Sequence, residues 1–72
     1  MRDHETVIYT KPGCPYCAAA MEDFRSRKIA FIEVDVQNDL DARQKMVALS
    51  GGLRVPTIVQ PDGKVSVGFD GF

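Results

Sequence analysis

The stretch that decides the fold is Val7-Ile8-Tyr9-Thr10-Lys11-Pro12-Gly13-Cys14-Pro15-Tyr16-Cys17-Ala18-Ala19-Ala20. Val7, Ile8 and Tyr9 form a β-prone run that stops at Lys11-Pro12-Gly13, which reads as a strand ending in a turn. Beyond the turn, Cys17, Met21 and Phe24 recur at helical spacing among strong helix formers, predicting a helix from about Pro15 to Arg27. The two cysteines therefore sit where a strand hands over to a helix.

Phe31, Ile32, Val34 and Val36 make a second β-prone run, followed by Asn38 as candidate cap of a helix over Asp39 to Ser50. Ala42, Met46 and Leu49 read as its buried face, and Gly51-Gly52 as its stop. Thr57-Val59 and Val65-Val67, joined by Pro61-Asp62-Gly63-Lys64, read as an antiparallel hairpin. The order β-α-β-α-β-β implies a four-stranded mixed sheet, with one parallel pair and helices on its faces.

The chain has 72 residues, 44% of them hydrophobic and 26% charged, which predicts one soluble domain over residues 1–72. A chain this short buries roughly 60% of its unfolded surface, so its stability should be about 4 to 11 kcal/mol. A net charge of -1 argues against nucleic acid or an anionic membrane as partner. The polar start, Met1 to Glu5, and the short apolar runs predict neither a signal core nor a membrane span, and so a cytoplasmic protein. In that compartment a cysteine pair points to redox or metal chemistry.

The spacing C-x-x-C at a helix start places Cys14 at the N-cap and Cys17 one turn inside, close enough to bridge. Pro15 then falls at the first helical position, where no N–H is needed, and the amides of Tyr16 and Cys17 face the sulfur of Cys14. Helix dipole and Lys11 add positive potential, so Cys14 reads as a low-pKa nucleophile and the more buried Cys17 as the resolving thiol. Lowering a thiol pKa by about 3.5 raises its thiolate fraction at pH 7 about 30-fold, while intrinsic nucleophilicity falls comparably; the gain lies in a better leaving group. A stabilising disulfide is the plainer alternative, but closing a loop of about four residues contributes only ~2 kcal/mol before strain. A zinc site would need two more ligands, with His4 the one further strong candidate, and a cluster shared between two chains stays open.

Tyr9-Thr10-Lys11, Cys14-Pro15-Tyr16-Cys17 and, about 40 residues on, Val55-Pro56-Thr57 together resemble the glutaredoxins of the dithiol C-P-Y-C class, over nearly the whole chain. The resemblance implies a thioredoxin-like α/β fold and reduction of protein disulfides or glutathione mixed disulfides. Glutathione would be the co-substrate and recycling reductant, with no bound prosthetic group and no metal. It further implies that Lys11 pairs with a glutathione carboxylate, Tyr16 lines the groove, the backbone of Val55 pairs with the tripeptide, Pro56 is cis, and Asp70 receives the γ-glutamyl end.

Two departures from the family pattern stand out. Phe69 replaces the second glycine of the usual G-G-x-D, which puts Asp70 in doubt. Ser66-Val67-Gly68-Phe69 also resembles small redoxins that supply ribonucleotide reductase and are recycled by thioredoxin reductase. The sequence stops at Phe72 where both families continue into a third helix, so an apolar sheet face is expected to lie open, inviting a homodimer. Met21, Phe24, Met46 and Leu49 read as core, Asp39 and Asp41 as helix-start charges, and His4 and Arg54 as solvated side chains.

Overall fold

The computed structural model describes residues 5–68. His4, Phe69, Asp70 and Phe72 lie outside them. The elements run β1 (Thr6–Thr10), α1 (Pro15–Ser26), β2 (Phe31–Asp35), α2 (Leu40–Ser50), β3 (Thr57–Val59) and β4 (Val65–Val67). They build a four-stranded sheet in the order β2-β1-β3-β4. β1 and β2 are parallel, aligning Ile8 with Glu33, while β1 with β3 and β3 with β4 are antiparallel, aligning Ile8 with Ile58 and Ile58 with Ser66.

Strand alternation sends Ile8 and Ile58 to one face, where they pack with Ala20 and Phe24 of α1 and with Met21, Ile29 and Phe31. Tyr9 and its neighbours Val7, Val34 and Val59 take the other face, packing with Met46 and Ala42 of α2, Val36 and Val55. The two helices thus cover opposite faces. The hydroxyl of buried Thr57 donates to the Arg54 carbonyl at 2.7 Å, tying the start of β3 to the preceding loop.

α1 ends as a Schellman motif. Arg27 is the cap, Lys28 takes the left-handed conformation at φ 59°, and the N–H of Ile29 donates to the carbonyl of Phe24 at 2.9 Å. Ile29 packs against the cluster that holds Phe24, in keeping with the hydrophobic contact that accompanies this motif.

Three expectations need correction. Asn38 does not cap α2; its amide donates to Asp35 Oδ2 at 2.6 Å, and Asp39 is the cap, its Oδ1 accepting from the N–H of Ala42 at 3.1 Å. Leu49 is 42% exposed rather than core, because it lies about 60° around the helix from Met46, whereas Ala42 and Ser50 lie within about 40°. The open apolar sheet face is also absent among the described residues: α1 covers Ile8 and Ile58, Phe31 is half-buried against the same cluster, and the other positions on that face are Thr6, Thr10, Glu33, Asp35 and Ser66. Apart from Tyr16, the exposed large apolar side chains among the described residues are Leu40, Val47 and Leu49 on α2, Leu53 in the loop after it, and Val67 on β4.

Candidate active site

Between β1 and α1 the chain turns through Lys11-Pro12-Gly13, and Gly13 adopts φ 78°, a conformation that a side chain would strain. The turn delivers Cys14 to the N-cap of α1 in extended conformation, with Pro15 at the helix start. Cys14 Sγ accepts a hydrogen bond from the N–H of Cys17 at 3.3 Å, taking the place that a serine or aspartate oxygen usually fills. The N–H of Ala18 closes the first helical turn on the carbonyl of Cys14 at 3.1 Å.

Both cysteines are free thiols, but their surroundings differ. Partial burial pushes the Cys14 thiol up, and stronger opposing influences leave it below the ordinary cysteine value: the Cys17 thiol, the amides of Cys17 and Tyr16, and the charge of Lys11. Cys17 is 1% exposed. Burial, aided by its bond to Cys14 and the nearby Cys14 charge, pushes it up to about 12 against the opposing Lys11 amide and charge. One sulfur is thus held towards the thiolate and the other as a thiol that donates to it.

Lys11 links the thiols to a groove of about 240 Å³ lined by Lys11, Val36, Gln37, Arg43, Met46, Leu53 and Val55. Neither cysteine lines this groove; Lys11 stands between them and it. Val55-Pro56 is a cis peptide bond, Pro56 is fully buried, and its carbonyl accepts from the N–H of Gly68 at 2.7 Å. Tyr16 is 39% exposed beside the two cysteines at the start of α1. Asp70 lies outside the described residues.

Arg43 and Gln37 were not singled out from the sequence, yet they meet Lys11 and Val55 across this groove. The available signal was the position of Arg43 one turn before Met46, on the flank of the buried stripe of α2. No group of three or more His, Cys, Asp and Glu among the described residues could hold a metal ion. No helix among them is long and apolar enough to cross a membrane.

Comparison with known proteins places this arrangement. The Glutaredoxin family model matches residues 6–65. A glutaredoxin-like 8.6 kDa protein of the rubredoxin operon of Clostridium pasteurianum is 38% identical over 63 residues, covering 88% of this chain and 83% of that protein. Glutaredoxin 3 of Escherichia coli is 37% identical over 51 residues, which are 71% of this chain but 61% of that protein. The chain therefore spans less than two thirds of the E. coli relative. The crystal structure of the thioredoxin-like protein BC3987 superposes with a TM-score of 0.84 at 33% identity, covering 92% of this chain and 89% of that one. The fold is accordingly thioredoxin-like, and the chain belongs to the glutaredoxin family of thiol–disulfide oxidoreductases.

Proposed function

We propose that this chain, working as one cytoplasmic domain, reduces protein disulfides and glutathione mixed disulfides through Cys14 and Cys17 and is recycled by glutathione. The observation that carries the reading is the asymmetry of the pair: Cys14 is held below the ordinary thiol value at a helix N-cap, and Cys17 is pushed up to about 12.

Cys14 thiolate attacks one sulfur of the substrate disulfide; a Cys14–substrate disulfide forms and the other substrate sulfur leaves as a thiolate. On a protein disulfide, Cys17 then attacks Cys14 Sγ, its proton passing to the second departing thiolate. The first departing thiolate takes its proton from water, so the substrate has gained two electrons and two protons, and the enzyme holds a Cys14–Cys17 disulfide. Two glutathione thiols return both electrons and both protons and leave as glutathione disulfide. When the substrate is a glutathionylated protein, Cys14 takes the glutathionyl group directly and a second glutathione clears it, without Cys17.

Lys11 and Arg43 supply two cations on the groove for the carboxylates of the tripeptide. Val55, on the groove just before the cis Pro56, offers its backbone to the tripeptide, and Tyr16 offers an aromatic wall beside Cys14. Asp70, by resemblance, would receive the γ-glutamyl end. The recycling step tests the reading: the Cys14–Cys17 disulfide form is offered glutathione, or thioredoxin reductase with its nicotinamide reductant. Restoration of the dithiol by glutathione is expected, and restoration by the flavoenzyme alone would replace glutathione as reductant.

A further inference from the structure

Leu40, Arg43, Gln44 and Val47 recur at i, i+3, i+4 and i+7 on α2, on a different side from the buried Met46 and half-buried Ala42. With Leu53 they line a second depression of about 400 Å³. Its apolar members face solvent, Leu40 being 66%, Leu53 55% and Val47 38% exposed. A small domain gains nothing in packing from side chains held this way. Arg43 and Leu53 line both this depression and the groove beside Lys11 and Val55, so the two form one track leading towards the thiols. No carboxylate lines either part, and the charged lining residues are Lys11 and Arg43.

We propose that this stripe docks the polypeptide next to the reactive cysteine of a protein substrate, and that it selects a segment carrying an acidic and a large aliphatic residue. The acidic side chain pairs with Arg43, and the aliphatic one enters the depression between Leu40, Val47 and Leu53. The proposal rests on the reading of Cys14 as the attacking thiol. A second copy of this chain fits less well, since a stable dimer needs about 20 to 30 residues a side and this depression offers five. A short segment captured during disulfide exchange needs no more.

The test uses the reduced chain in single-turnover exchange with short peptides, each joined through its cysteine to 2-mercaptoethanol. One peptide carries leucine and glutamate after the cysteine, a second has serine for the leucine, and a third has lysine for the glutamate. Bis(2-hydroxyethyl) disulfide is the small reference. The first peptide should react about tenfold faster than either other, the scale of partly burying one aliphatic side chain or making one ion pair. Leu40→Glu with Val47→Glu should remove that advantage and leave the reference rate within about twofold, since neither residue lines the groove beside Lys11. Equal rates for the three peptides in the unaltered chain would overturn the proposal, whether or not the variant folds. Equal slowing of every substrate in a folded variant would also overturn it, as would loss of self-association with peptide rates unchanged, which makes a second copy the occupant. Failure of the unaltered chain to exchange with the reference disulfide would instead overturn the reading of Cys14, and the docking surface with it.

Discussion

Replacing Cys17 by alanine removes the strongest influence holding Cys14 towards its thiolate, the thiol that donates to Cys14 Sγ. It leaves in place the backbone donors, including the Cys17 N–H at 3.3 Å, and the charge of Lys11. A hydrogen bond to a charged group contributes roughly 1.5 to 3 kcal/mol, equivalent to about one to two pKa units at 1.36 kcal/mol each. Cys14 is partly exposed, so water takes over some of the lost bond and the lower end applies. The Cys14 pKa should therefore rise in Cys17→Ala, and by less in Cys17→Ser, because the hydroxyl still donates. Thiolate absorbance at 240 nm against pH, checked by the rate of alkylation with iodoacetamide, reads the midpoint. An unchanged or lowered midpoint in Cys17→Ala would refute the reasoning and assign the low value to the helix start alone.

Stability at alkaline pH should report the buried thiol. Cys17 is raised in the folded chain to about 12, so its contribution is complete below an unfolded value near 8.5 and is lost as pH rises from there towards 12. Denaturant titrations should show a loss approaching about 1.4 kcal/mol per pH unit within that window; in Cys17→Ala it should be absent until about pH 10, above which Tyr9, also raised by burial, contributes its own loss in both proteins. Cys14 acts with the opposite sign, its contribution fading as pH falls through its lowered value. Lys28→Gly should stabilise the chain by up to about 1 kcal/mol, read from the denaturation midpoint, since φ 59° suits glycine. Arg43→Gln should raise KM for a glutathione mixed disulfide by about two- to fivefold with little change in kcat, as expected for an exposed charge that binds the tripeptide without touching sulfur.

Much of the fold could be read because local signals agreed. The turn at Gly13, the cap at Cys14 and the proline at the helix start all mark one junction, and the hairpin turn before Val65 marks another. Where two neighbours offered the same chemistry, the sequence could not choose: Asn38 and Asp39 are both good caps, and tertiary placement decided by engaging Asn38 with Asp35. Leu49 was misplaced by a small angular error, since α2 buries only the narrow stripe through Met46. Arg43 was not recognised because residues 32 positions apart in sequence, Lys11 and Arg43, meet only once α2 has packed on the sheet. The thiol pair carried in the sequence both its spacing and, from the place of Cys17 one turn into α1, the greater burial of the second sulfur; the extent of that burial came from the packing of α1 against β1 and β3.

The central claim is that Cys14 takes the first sulfur and Cys17 only resolves. Turnover of a glutathionylated peptide, with glutathione and glutathione reductase regenerating the enzyme, tests it most directly in the unaltered chain, Cys14→Ser and Cys17→Ser. The account predicts activity in the unaltered chain, its loss by at least about 100-fold in Cys14→Ser, and its retention in Cys17→Ser, whose Cys14 is still cleared by glutathione. Full turnover by Cys14→Ser, or none by the unaltered chain, would contradict it.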